Sequence, residues 1–121
     1  MEKKVLGVLL MTGPYTFENS HTFYDLAKAA LEAGYAVKVF LFIDGVINAK
    51  LKQDPDPDIP MNKKFQELAD AGVEFQACGL CTSARGFDQS GSDFITGVEV
   101  SGLTEFAEIV GQCDRFIALG F

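Results

Sequence analysis

The chain has 121 residues, about the length of one domain, and no linker divides it. Its formal net charge of −7 argues against a nucleic-acid backbone or an anionic membrane as a direct partner. Hydrophobic residues make up 48% and charged residues 22%, enough for a real core, which the eleven phenylalanines make rich in Phe.

Lys4 to Met11 is mostly apolar, the pattern of a strand covered on both faces, and is too short for a membrane span or a secretory signal. Thr12-Gly13-Pro14-Tyr15 breaks it. Asn19 or Ser20 is placed to cap the following helix. There Phe23, Leu26, Ala27, Ala30 and Leu31 form one apolar stripe, ended by Gly34. Ala36 to Ile43 is a second buried strand. Asp44-Gly45-Val46 turns out of it, and a short helical piece is expected over Val46 to Leu51.

Gln53 to Pro60 carries prolines at 55, 57 and 60, which fit neither helix interior nor central strand, so an exposed acidic loop follows. Asn62 is placed to cap a second helix with Phe65, Leu68 and Ala69 on its inner face and Gly72 beyond its end. Leu31-Glu32-Ala33-Gly34-Tyr35-Ala36-Val37 is echoed by Leu68-Ala69-Asp70-Ala71-Gly72-Val73-Glu74, in each case a helix end, a glycine and a strand start. Two such units in succession point to a parallel sheet. The third strand runs into Cys78. Phe94 to Val100 is compatible with a short fourth strand. Ser101 is placed to cap a last helix with Leu103, Phe106, Ala107 and Val110 as its apolar stripe, and Arg115 to Leu119 closes the fold. The expected architecture is a single three-layer α/β sandwich over residues 1–121, with a mainly parallel sheet of about five strands and helices on both faces.

Chemistry concentrates in Cys78-Gly79-Leu80-Cys81-Thr82-Ser83-Ala84-Arg85-Gly86. In open α/β sheets reactive groups lie at the carboxyl ends of strands, where Cys78 falls. A helix starting near Gly79 would favour a thiolate there, and Arg85, about two turns on, adds positive charge. A thiolate is what nucleophilic sulfur chemistry requires. His21, the one histidine, belongs to a segment meeting the same edge, within reach of Cys78 as a catalytic neighbour, though a plain helix start is the simpler explanation. Cys113 precedes the last strand, at the opposite edge, and reads as packing. That leaves three ligands where structural zinc needs four, so no metal is expected. No phosphate loop or dinucleotide fingerprint occurs, Asp54, Asp56 and Asp58 lack the glycine and terminal Glu of a calcium loop, and no cofactor is expected. A thioredoxin-type dithiol usually has proline between its thiols and follows a different topology, so Gly79-Leu80 departs from it. A dithiol–disulfide switch and a subunit with inert thiols both stay open. Three cysteines without a secretory segment fit a reducing cytoplasm.

Nearly end to end, the chain resembles the DsrE/DsrF-like family, which includes TusD-type sulfur-relay proteins. The resemblance is carried by Gly13-Pro14-Tyr15, Ala27-Lys28-Ala29-Ala30 leading to Gly34, Val39-Phe40, Asp44-Gly45-Val46, Gly72-Val73, and Cys78 with Ala84-Arg85-Gly86 behind it. It implies a sulfurtransferase-like carrier that holds sulfane sulfur as a persulfide on Cys78, the position matching the family's sulfur-carrying cysteine, and passes it to a partner protein's cysteine. It further implies donor and acceptor proteins as partners, and assembly as trimers or hexamers, alone or with related subunits. Relay subunits typically show a single cysteine there, and this chain's C-G-L-C departs from them. Cys81 is thus an auxiliary thiol able to resolve a persulfide at Cys78 as a disulfide, and Arg85 a stabiliser of the thiolate.

Overall fold

The computed structural model describes residues 3–121. Five strands alternate with helices: β1 (Val5–Leu10), α1 (Asn19–Glu32), β2 (Ala36–Leu41), a 3-10 helix (Ile43–Ala49), α2 (Met61–Asp70), β3 (Glu74–Cys78), α3 (Gly79–Ala84), β4 (Val98–Ser101), α4 (Leu103–Gln112) and β5 (Arg115–Leu119). The strands form one sheet in the order β4-β3-β2-β1-β5. Every pairing is parallel.

Alternation along the strands divides the core. Leu6, Val8 and Leu10 lie in register with Val37, Val39 and Leu41, and Val39 with Phe75. All are buried, beneath α1 and α2. Phe23 of α1 and Phe65 of α2 meet at 5.3 Å between ring centroids, and Phe65 stacks on Phe75 at 5.4 Å. On the opposite face Phe106 of α4 packs on Phe40 at 5.1 Å and on Phe116 at 5.9 Å. The phenylalanines therefore fill both layers.

The helix ends correct the expected caps. Asn19 is already helical, and its amide donates to the Gly120 carbonyl at 2.9 Å. Ser20 is buried and donates to Asn48 at 2.6 Å. Asn62 also lies inside its helix, and it donates to the carbonyls of Lys50 and Leu51. Ser101 ends β4, so Gly102 caps α4, its N–H donating to Glu105 at 2.9 Å. For Asn19, Ser20 and Asn62 a tertiary partner has taken the side chain that a local cap would have used. Gly34 and Gly72, by contrast, end their helices at φ +90° and +107°, a conformation open to glycine without a Cβ penalty.

Two further expectations shift. The helical piece after β2 begins at Ile43, three residues before Val46, and takes in Gly45. On α4 the predicted stripe does not face the core: Phe106 and Ile109 turn inward, while Leu103 (61%) and Val110 (44%) stay exposed, as does Ala107. The stretch from Leu51 to Pro60 is largely exposed, as its prolines and aspartates require.

Candidate functional site

β3 carries Phe75 and Ala77 into the core and delivers Cys78 at its carboxyl end, where the chain turns directly into α3. Cys78 has extended backbone, φ −61° and ψ 123°, and stands at the N-cap position, which makes Cys81 the third helical residue. N-cap and third-residue side chains face one another, the geometry that capping boxes exploit. C-x-x-C at a strand-to-helix turn therefore brings its two thiols together. Both are reduced and buried. The Cys78 side chain accepts no capping hydrogen bond from the six-residue helix.

The backbone N–H of Ile43 donates to Cys81 Sγ at 3.1 Å. Ile43 sits at φ +54°, a left-handed conformation that costs a branched residue about 1–2 kcal/mol. The 3-10 helix that starts there holds it in place. That helix is itself fixed by Asn48, whose amide donates to the carbonyls of Thr12 and Gly45, both at 3.0 Å. Burial pushes the Cys81 thiol up, and its hydrogen bond with the Cys78 side chain pushes it further, against smaller opposing effects of the Ile43 N–H and the Arg85 charge. Cys81 therefore keeps its proton at neutral pH.

Arg85 turns toward the 3-10 helix. Its Nε is 2.8 Å from Asp44 Oδ1, and its Nη1 donates to the Cys81 carbonyl at 3.1 Å. It ties α3 to the segment after β2 and leaves its charge beside Cys81. Thr82 donates to the Cys78 carbonyl at 2.8 Å, and Gln89 to the Gly79 carbonyl at 2.8 Å. A Cβ on Gly79 would come 3.2 Å from the Ser101 carbonyl, so the helix starts pressed against β4. Between the thiols Leu80 points outward, 80% exposed.

His21 is not part of this cluster. It lines a groove of about 510 Å³ with Tyr15, Pro57, Asp58, Ile59, Met61 and Lys64, to which neither cysteine contributes. Cys113 lies at the amino edge of the sheet, where a Cβ on Gly7 would meet its Sγ at 3.2 Å, and its thiol donates to the Val110 carbonyl. Among the described residues no group of three or more Cys, His, Asp or Glu is arranged to hold a metal ion. Nor does any described helix have the length and apolarity to cross a membrane. Strand order reverses between β1 and β5, and at their carboxyl ends Asn19 bridges to Gly120 while the Met11 side chain packs against that glycine. These contacts lie at the usual ligand crevice of such sheets, and Cys78 lies on the far side of β2 from it. Sequence reasoning pointed to the two cysteines and Arg85, which the structure brings together, and passed over Ile43, Asn48 and Gln89. Ile43 and Asn48 act through backbone groups or deep burial, for which spacing carries no signal.

Fold and site together define an open, wholly parallel α/β protein with a reduced thiol pair on the turn out of its third strand. The chain belongs to the DsrE/DsrF-like family, whose model matches residues 4–119. It is 34% identical over 113 residues to an uncharacterized protein of Methanopyrus kandleri, covering 93% of this chain and 92% of that one. To the putative sulfurtransferase DsrE of Allochromatium vinosum it is 31% identical over 120 residues, covering 89% and 92%. To the sulfurtransferase TusD of Proteus mirabilis it is 33% identical over 122 residues, covering 90% and 94%. The crystal structure of the ychN protein from E. coli superposes with a TM-score of 0.84 at 26% identity, over 98% of this chain and all of that one.

Proposed function

We propose that the protein is a sulfur carrier in which Cys78 holds sulfane sulfur as a persulfide. The observation that carries this reading is the facing thiol pair at the end of β3, in a chain whose relatives include proteins named sulfurtransferase. The Cys78 thiolate attacks the outer sulfur of a donor persulfide. A new S–S bond forms, the donor's S–S bond breaks, and its electron pair leaves with the donor thiolate. An acceptor cysteine thiolate then attacks the outer sulfur and releases Cys78 as thiolate, so no oxidant or reductant is consumed. Cys81, protonated beside Cys78, is the auxiliary thiol, and Arg85 places positive charge near it. His21, in its own groove, has no assigned step.

The exposed stripe Leu103, Ala107 and Val110 supports assembly with further copies or related subunits, since apolar helix faces of this kind are normally covered. Reduced thiols suit a reducing compartment such as the cytoplasm.

A second reading draws on the same pair. Cys81 gives up its proton and its sulfur attacks Cys78 Sγ of the persulfide, forming a Cys78–Cys81 disulfide and expelling the outer sulfur as hydrosulfide. The two cysteines are then oxidised and the sulfane sulfur reduced.

Intact-protein mass spectrometry after incubation with inorganic polysulfide separates the readings. One added sulfur, lost in Cys78→Ser and kept in Cys81→Ser, is the expected result. Loss of two hydrogens without added sulfur would favour the disulfide, and an unchanged mass in every sample would refute both.

A further inference from the structure

β4 lies beside β3 in parallel register, with Gln76 opposite Glu99 and Cys78 opposite Ser101. Gln76 and Glu99 project to one face, where the Gln76 amide donates to the Glu99 carboxylate at 3.4 Å. Two residues further on, alternation puts Cys78 and Ser101 on that same face. The Ser101 Oγ is buried and has no hydrogen-bond partner. A buried hydroxyl without a partner is unfavourable enough that native structures rarely keep one. Cys78 Sγ itself does not serve, although adjacent strands run only about 4.8 Å apart. A sulfur bonded to Sγ would stand roughly 2.05 Å beyond it. Ser101 occupies the register position beside Cys78, one strand spacing away.

Resting on the sulfur-carrier reading above, we infer that Ser101 is a binding residue for the transferred atom, its hydroxyl donating to the outer sulfur of a Cys78 persulfide and not to the unloaded thiol. The hydroxyl is satisfied only when cargo is aboard. It favours the anionic outer sulfur, the form that must persist until an acceptor arrives, over the protonated one. Gly79, where an added Cβ would come 3.2 Å from the Ser101 carbonyl, sets the thiol turn close against the strand edge.

The test compares wild type, Ser101→Ala and Ser101→Thr, each unloaded and after loading with inorganic polysulfide. Iodoacetamide alkylation at Cys78 is followed against pH by peptide mass, which separates loaded from unloaded sites. In loaded Ser101→Ala the alkylation midpoint should rise by about half to one pH unit, slowing the reaction about three- to tenfold below the midpoint, as loss of one hydrogen bond to an anion requires. The unloaded profile should not move, and Ser101→Thr, which keeps the hydroxyl, should follow wild type. An unmoved loaded profile in Ser101→Ala would overturn the assignment while leaving sulfur carriage intact. Equal shifts in loaded and unloaded forms would overturn it as well, because a general disturbance of the edge would explain them. Wild type that takes up no sulfur would overturn carriage, and this inference with it.

Discussion

Replacing Gly45 with alanine should unsettle the fold and the thiol pair together. Gly45 lies in the 3-10 helix against the end of β1, where a Cβ would come 2.9 Å from the Leu10 carbonyl carbon and closer still to its oxygen. Ordinary contact begins at 3.4 Å, and the obstructing atoms are backbone of a central strand, which cannot rotate away as a side chain would. The 3-10 helix must therefore back off by more than half an ångström, carrying Ile43 with it and loosening its N–H from Cys81 Sγ. Overpacking of this kind costs about 1–3 kcal/mol, and backbone obstruction puts Gly45→Ala at roughly 3. For a chain of this size that is a fall in melting temperature of roughly 10–15 °C. Thermal and urea unfolding measure it, with Gly111→Ala as the matched control. Gly111 lies in α4 with nothing within 4 Å of its added Cβ, so there alanine should stabilise by about 0.5–1 kcal/mol. Alkylation of native Cys81 should also be faster in Gly45→Ala. A variant within about 0.5 kcal/mol of wild type would refute the reasoning, since that is the range of an uneventful surface change.

The raised pKa of Cys81 gives stability a pH signature. The unfolded chain releases that proton near pH 8.5 while the native state retains it, so stability should be full below about pH 8.5 and decline as pH climbs through the native value. Denaturant midpoints from pH 7 to 10, in wild type and Cys81→Ala, check this: only wild type should show this component. Phe65→Ala should cost about 3–5 kcal/mol by urea unfolding, because the ring it removes contacts both Phe23 and Phe75 in the dry layer under α1 and α2. The proposed assembly through α4 predicts that Leu103→Asp with Val110→Asp lowers the oligomeric state in sedimentation without unfolding the chain, both side chains being exposed. A fully retained oligomer would show that subunits meet elsewhere.

The strands and both glycine helix stops were legible because they rest on short-range physics: apolar runs for strands covered on both faces, and left-handed backbone for Gly34 and Gly72. Caps were not legible. Asn19, Asn62 and Ser20 have the right chemistry at nearly the right places, but distant carbonyls and Asn48 compete for the same donors. The α4 stripe failed differently. Apolar periodicity marks a face that leaves water, and Leu103, Ala107 and Val110 satisfy it without facing their own core. At the site, the spacing of Cys78 and Cys81 was enough to bring the thiols together, since N-cap and third-residue positions meet whatever surrounds them. The direction of Arg85 depended on Asp44, forty-one positions away in sequence. His21 shares an edge of the sheet with the cysteines but opens into another groove.

β4 is an outer strand four residues long, held on one side only and part-buried along most of its length, whereas β1 and β2 are paired on both sides. Amide hydrogen exchange should accordingly be slowest in β1 and β2 and much faster in Val98–Ser101, which can detach in a sub-global opening far cheaper than unfolding. Cys78 sits on the seam between those two regimes. A thiol rooted in the rigid centre keeps its orientation, while the strand at its side can fluctuate away for moments and admit a large reactant that the closed form, with Cys78 only 5% exposed, would shut out.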